Sequence, residues 1–262
     1  MAERADERAV PGSAVTPPDV TIVVPAYNEQ ANLEGTVSAV AAKLRELGKT
    51  YEILIVDDAS TDRTPQVAAE LASRDPAIRV LRHERNLGPI SGVRTGIAQA
   101  TGEAIVFIPA DLAMDLNDLH KYFDAAADAD VVVGLRSDRR DYSGFRKLVS
   151  VANIALIRLL FGMRVRQFNY IHLYKRRIFE EIAIESKGVF MTAEVLIKAR
   201  DLGYRLVEVE IGYLPRKAGT ASAGRPKVIA KTAWEMLRFW VRWVGRRFRG
   251  ALAGRGPRGR RR

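Results

Sequence analysis

From residue 20 onward, short apolar runs alternate with longer segments of helical period. Val20–Pro25 (V-T-I-V-V-P), Tyr51–Val56 (Y-E-I-L-I-V), Ile78–Leu81, Ala104–Ile108 and Asp130–Gly134 (D-V-V-V-G) have strand length and little polar interruption. Between them, Glu29–Leu47 repeats apolar residues at Leu33, Val37, Val40, Leu44 and Leu47, the spacing of one helix face. Thr64–Ser73, Gly88–Ala100 and Leu116–Ala127 read as helices in the same way. Strands that are apolar throughout are buried on both faces, so the pattern predicts an α/β fold: a mostly parallel central sheet with helices on both sides. No change of composition marks a second domain and no repeat is present, which leaves one domain over about 19–245.

Two further helices belong to the C-terminal half. Phe145–Phe161, within about 143–162, is rich in Leu, Ile, Val and Ala but interrupted by Ser150, Asn153 and Arg158. It falls short of the roughly 20 apolar residues of a membrane span. Pro226–Phe248 carries charges at Lys227, Lys231, Glu235, Arg238, Arg242, Arg246 and Arg249, spaced 4, 4, 3, 4, 4 and 3. Those steps draw one polar, mostly basic stripe, with Trp234, Leu237, Trp240, Val241 and Val244 on the remaining surface. Such a helix suits a membrane interface, and its apolar side equally suits packing on the domain.

Charge alters this picture only at one end. Residues 246–262 hold eight arginines and no acid; without them the formal +11 becomes +3 on the other 245 residues. The arginines predict attraction to anionic lipid and only salt-sensitive, non-specific contact with nucleic acid. Residues 1–18 and 249–262 are expected to be disordered. Cysteine is absent, which removes disulfides and thiolate metal sites. No stretch is expected to be a secretory signal or a membrane span.

The candidate chemistry gathers at the strand ends. Pro25-Ala26-Tyr27-Asn28-Glu29 closes the first strand, Asp57-Asp58-Ala59-Ser60 the second, and Pro109-Ala110-Asp111 the fourth. In open parallel sheets ligands bind in the crevice beyond these ends. The first strand lacks the G-x-G-x-x-G of a dinucleotide site and no phosphate-loop motif occurs. Gly88, Gly92 and Gly96 recur every four residues, which predicts close packing of one helix face. Taken alone, Asp111 reads first as a cap; three acidic or aromatic strand ends together read as a ligand rim. A carboxylate can accept from a nucleobase N–H, which both uracil and guanine possess, and Tyr27 could pack against the base.

V-V-P-A-Y-N-E, V-D-D-A-S-T-D-R-T, R-N-L-G-P and P-A-D-L resemble the inverting glycosyltransferase family 2, and within it the polyprenyl-phosphate branch that includes dolichol-phosphate-mannose synthases. The resemblance is clearest over 20–136 and continues more loosely to about 245. It implies the GT-A nucleotide-diphospho-sugar transferase fold. It also implies that Pro25, Ala26, Tyr27, Glu29 and Asp58 hold the nucleoside, with Val56 and Ala110 beside it. Asp111 would face the diphosphate and its metal. Arg136, in a match to the family's Gly-Ser-Arg, and Arg216, in Pro215-Arg216-Lys217-Ala218-Gly219, would serve the phosphates, for which an arginine fork is suited.

The departures bear on the metal and the acceptor. Pro109 stands where the family keeps the first Asp of Asp-Ala-Asp, so a magnesium or manganese ion would be held weakly, or not at all. Asp115 could substitute only if its segment folds back. The acceptor-side Asp-x-x-Ser-Gly-Phe is replaced by Gln167–Tyr174. A lipid phosphate needs no protein base, whereas an alcohol acceptor would; Glu194 is the spare acid for that role, and reads equally as a structural carboxylate. The expected partners are a nucleotide sugar (GDP- or UDP-linked), a polyprenyl phosphate and the cytoplasmic face of a membrane. A tighter anchor would come from an integral membrane partner. The alternatives are a family 2 enzyme with an alcohol acceptor and a non-catalytic nucleotide-sugar module.

Overall fold

In the computed structural model, which describes residues 16–137, 144–214 and 226–252, strand and helix alternate as the apolar pattern predicts. β1 (Val20–Ala26), α1 (Leu33–Glu46), β2 (Tyr51–Asp57), α2 (Thr64–Arg74), β3 (Ile78–Arg82), α3 (Pro89–Gln99) and β4 (Ala104–Phe107) follow one another. A 3-10 turn at Leu116–Asp118 leads into α4 (Leu119–Ala126) and β5 (Val131–Arg136). Then come α5 (Gly144–Phe161), β6 (His172–Lys175), α6 (Ile178–Glu181), α7 (Met191–Asp201), β7 (Leu206–Ile211) and α8 (Pro226–Leu252).

The sheet order is β3–β2–β1–β4–β6–β5–β7. β1 runs parallel to β2 and β4, β2 to β3, and β5 to β7. β6 is antiparallel to both β4 and β5. Two reversals restore the direction, so β5 and β7 end on the same edge as β1, β2 and β4. Alternate strand residues feed two cores. Ile22, Val24, Ile53, Ile55 and Val106 meet Leu33, Val37, Leu44, Leu71 and Tyr122 on one face. On the other face Val131, Val133 and Leu135 meet Phe161, Leu196, Met236 and Phe239.

Several boundaries differ from the sequence reading, each for a local reason. The first helix begins at Leu33, because Glu29–Asn32 form a turn in which the Asn32 and Leu33 amides donate to the Glu29 carbonyl at 3.0 and 2.9 Å. Gly88 stands outside α3 with φ +91, ahead of a proline that takes the first helical turn. The fifth strand continues through Leu135 and Arg136. The last helix runs through residues 249–252, where a disordered tail was expected. The remainder of that tail, residues 253–262, and most of the expected N-terminal arm, residues 1–15, lie outside the described residues.

Gly92 and Gly96 do seat α3 on β1. A Cβ on Gly96 would come within 2.2 Å of a Val23 methyl, whereas one on Gly92 would stand 3.1 Å from Pro25 Cβ. Gly96→Ala is therefore expected to lower stability by about 1–3 kcal/mol through overpacking, despite a helix-propensity gain of up to about 1 kcal/mol. Gly92→Ala should stay close to wild type. Urea unfolding of the two variants checks the contrast.

His172 opens β6 fully out of solvent, with Nδ1 3.1 Å from the Gly134 amide and Nε2 3.1 Å from the Phe168 carbonyl. The amide donates to Nδ1, so Nε2 carries the proton and the neutral ring satisfies both. Burial pulls its pKa down from 6.5 to about 4. The unfolded chain binds this proton near pH 6.5 and the folded one near 4, so acid favours unfolding across that window. Stability is expected to be level above pH 7 and about 2 kcal/mol lower at pH 5. Urea midpoints at the two pH values, compared with His172→Gln, isolate the contribution.

Candidate active site

The loops after β1 and β2 are stitched to each other. The Asp58 amide donates to the Ala26 carbonyl (2.9 Å), extending the ladder one step past the strands. The Asn28 amide donates to Ser60 Oγ (3.0 Å), the Thr61 amide to Asn28 Oδ1 (2.9 Å), and the Glu29 amide to Thr64 Oγ1 (2.8 Å). The Glu29 carboxylate takes Asn32 Nδ2 at 2.9 Å. Asp57, fully buried, accepts the Ser60 amide at 3.0 Å and has Arg82 Nε 3.1 Å away. This framework holds Tyr27 outward at the tip of β1, 46% exposed.

Asp58 is also buried, but its carboxylate points along the edge. Oδ1 accepts the Leu87 amide (2.9 Å) and lies 2.7 Å from His83 Nδ1; Oδ2 accepts the Gly88 amide (2.7 Å). The sequence reading gave Asp58 to a nucleoside; the structure adds that it anchors the 83–88 loop. Val56, placed beside the nucleoside by the resemblance, is fully buried and packs with Val23 and Ile105 on the α3 face. Its side chain supports the rim from below.

After β4 the chain turns at Pro109–Leu112. The Leu112 amide donates to the Pro109 carbonyl at 3.0 Å, and Thr36 of α1 donates to the buried Ala110 carbonyl at 2.6 Å. Asp111 sits at the head of this turn, partly buried. The segment beyond it bridges to the end of β7: the Asp115 amide donates to the Gly212 carbonyl (2.9 Å), the Gly212 amide to Asp118 Oδ2 (2.7 Å), and Tyr170 Oη lies 3.0 Å from the Ala113 carbonyl. The Asp115 carboxylate caps the 3-10 turn by accepting the Asn117 amide at 2.9 Å. That is a local duty rather than the fold-back needed to join Asp111. Among the described residues the non-glycine residues with positive φ are Asn28 (56°), Ala59 (60°) and Leu112 (40°). All three lie in the loops that follow β1, β2 and β4, and backbone strain of this kind clusters at ligand sites.

Arg136 ends β5 two strand spacings from β4, about 10 Å along the edge. Gln167 brackets its peptide, accepting from the Arg136 amide and donating to its carbonyl, both at 3.1 Å. The guanidinium lies over the Tyr213 ring, 3.2 Å from the centroid, at the end of the neighbouring β7. The glycine two residues earlier is required because the Tyr122 hydroxyl crosses there: a Cβ on Gly134 would meet it at 2.1 Å. Gln167 stands in the sequence only as the start of the segment that replaces the acceptor-side motif, and neither its contact with Arg136 nor that of Tyr213 is legible there. Arg216 lies outside the described residues. Among the described residues no three His, Cys, Asp or Glu side chains converge to hold a cation.

Glu194 does not join this edge as an available base. It is fully buried in the first turn of α7. Oε1 accepts the Glu185 amide (2.8 Å) and Lys198 Nζ (2.7 Å), and Oε2 accepts the Ser186 amide (2.8 Å). Of the two roles the sequence left open, the geometry fits the structural one. Removing one partner of a buried charge pair is strongly destabilising, so Glu194→Gln is expected to cost about 2 kcal/mol or more. Chemical denaturation measures this directly; a variant as stable as wild type would return Glu194 to the list of candidate bases.

The comparisons with known proteins agree with this architecture. The sequence model described as glycosyl transferase family 2 matches residues 21–192. The chain is 30% identical over 216 residues to an undecaprenyl-phosphate 4-deoxy-4-formamido-L-arabinose transferase of Pectobacterium carotovorum, covering 80% of this chain and 64% of that protein. It is 30% identical over 238 residues to a dolichol-phosphate mannosyltransferase of Pyrococcus furiosus, covering 86% and 64%. The chain thus spans just under two thirds of these relatives' length. Among solved structures, glucosyl-3-phosphoglycerate synthase from Mycobacterium tuberculosis superposes with a TM-score of 0.63 at 20% identity, over 82% of this chain and 79% of that one. Its likeness concerns the fold. With the family model covering most of the sheet and all of the rim from β1 to β5, the chain belongs to glycosyl transferase family 2.

Proposed function

We propose that this chain is an inverting glycosyltransferase that moves a sugar from a nucleoside-diphosphate sugar to a polyprenyl phosphate at the cytoplasmic face of a membrane. The observation that carries the reading is the convergence of Tyr27, Asp58 and Asp111 at the ends of three adjacent parallel strands, with Arg136 farther along the same edge. In this reading the nucleoside lies over β1 and β2, the diphosphate crosses β4, and the acceptor phosphate approaches from β5.

A lipid monophosphate has a second pKa of about 6 and is mostly dianionic at neutral pH. Its oxygen can attack the anomeric carbon without a protein base, which agrees with a Glu194 carboxylate committed to Lys198 and two amides. An alcohol acceptor would need a base. Arg136, whose guanidinium lies over the Tyr213 ring, has the fork geometry that suits phosphate oxygens, and Arg216 is assigned to the same charge. Asp111 is the carboxylate that would hold magnesium or manganese. With proline at 109 the donor set fits a cation that arrives with the diphosphate and keeps several waters. When bound, it would offset the charge of the leaving diphosphate.

Support for the membrane comes from the last two long helices. Met236 and Phe239 of α8 are buried against the body, while Trp234, Leu237 and Val241 stay 64%, 48% and 57% exposed. On α5, Phe145, Leu148, Leu156 and Leu159 are exposed as well. The apolar surface of α8 thus packs on the body on one side and faces outward on the other, and the outward side supports the membrane reading. Among the described residues no helix is long and apolar enough to cross a membrane.

Asp111→Asn is expected to lower sugar transfer to a polyprenyl phosphate at least about 100-fold, with an unchanged circular-dichroism spectrum. Transfer at the wild-type rate would remove Asp111 from the site. Replacing Trp234, Leu237 and Val241 together by Ser should release the protein from vesicles containing anionic phospholipid in a co-sedimentation assay. Binding as strong as wild type would refer membrane contact to another surface.

A further inference from the structure

The sheet order divides the rim into two groups. β6 is antiparallel and lies between β4 and β5, so it begins at the edge where those strands end. Asp111 therefore stands on one side of the entry to β6 and Arg136 on the other. What fills the gap is the segment leading into β6, residues 167–171. The transfer proposed above brings a diphosphate at Asp111 together with an acceptor phosphate at Arg136, so whatever fixes this gap bears on the reacting distance.

The segment is anchored from below and bonded on both sides. Phe168 is fully buried, and the Ile171 carbonyl accepts the Tyr122 hydroxyl at 2.7 Å. Toward β5, Gln167 takes the amide and the carbonyl of Arg136, each at 3.1 Å. Toward β4, the Tyr170 hydroxyl lies 3.0 Å from the Ala113 carbonyl and 3.2 Å from that of Gly212. Ala113 is two residues past Asp111, and Gly212 precedes the Tyr213 ring that lies against the Arg136 guanidinium. The Asp115 amide reaches the same Gly212 carbonyl at 2.9 Å, so Tyr170 secures a junction that the backbone already makes. From this juxtaposition we infer that Gln167 and Tyr170 are positioning residues for sugar transfer. They set the span between Asp111 and Arg136, and act through those two groups rather than on the substrates. The inference rests on the proposed reaction.

Gln167→Met keeps the side-chain length and loses both bonds to Arg136; Tyr170→Phe loses only the hydroxyl. Each full-length variant is assayed for transfer to farnesyl phosphate from UDP-glucose, UDP-galactose and GDP-mannose, with magnesium, and is titrated with UDP and GDP. A misplacement of about 1 Å can cost about 100-fold in rate. The expected result is a kcat lower by about tenfold or more in each variant, with the nucleotide Kd and the number of nucleotide sites per chain as in wild type. A merely structural role would lower the number of sites in step with kcat, and that result would overturn the inference. So would transfer at the wild-type rate in either variant, or a loss carried by the nucleotide Kd instead of kcat. If the wild type transfers from none of the three donors, the proposed reaction itself fails and the inference falls with it. A wild type that transfers beside unaffected variants leaves that reaction standing and removes only the positioning role.

Discussion

Strand polarity is the constraint on which the rest of this protein depends. β2, β1, β4 and β5 run in one direction, so the peptides that leave them emerge on one edge of the sheet. The helices that return the chain lie on the two faces and leave that edge to loops. Each loop can then carry one polar group without breaking the apolar layers below it. Asp58, Tyr27, Asp111 and Arg136 share one edge for this reason, although 109 positions of sequence separate Tyr27 from Arg136.

The loops are costly to hold, and the structure offsets that cost locally. Asn28, Ala59 and Leu112 occupy the left-handed region, at roughly 1–2 kcal/mol each for residues with a Cβ. Each strained turn is tied down by short polar contacts: Asn28 to Ser60 and Thr61, the Asp57 carboxylate to the Ser60 amide, and Thr36 to the carbonyl of Ala110. Asp58 does the same for the 83–88 loop. The rim is thus pre-shaped by hydrogen bonds that exist without a ligand, on a rigid sheet with a core on each face.

Much of this was legible in the sequence because the strands concerned have unbroken apolar runs. V-T-I-V-V and I-L-I-V announce buried strands whatever surrounds them. H-L-Y-K of β6 does not, being four residues long with a histidine and a lysine at its ends. L-V-E-V-E-I of β7 alternates because much of it is only half-buried. Their pairing is set by partners far away in the chain, so neither the reversal at β6 nor the stacking of Arg136 on Tyr213 could be read from spacing. Glu194 shows a different limit. An acid in an apolar helical stretch looks the same whether it serves a substrate or neutralises a lysine four residues on, and only the donors around it distinguish the two. Gly88 was grouped with Gly92 and Gly96 by spacing alone, while its backbone conformation assigns it to the turn before the helix.

The place of β6 in the sheet has a consequence for how the chain is made. β1 to β4 pair only with one another up to the point where β6 joins, so that half can assemble in order as it leaves the ribosome. β5 has no such option, since both of its neighbours, β6 and β7, lie later in the sequence. Until residues 172–175 and then 206–211 have been synthesised, V-V-V-G-L-R is an apolar strand with two bare edges, a species prone to pairing with the wrong chain. The strand that carries Arg136 is therefore the last of the rim strands to find its place, and synthesis that stops before β7 leaves that side of the rim without its outer support.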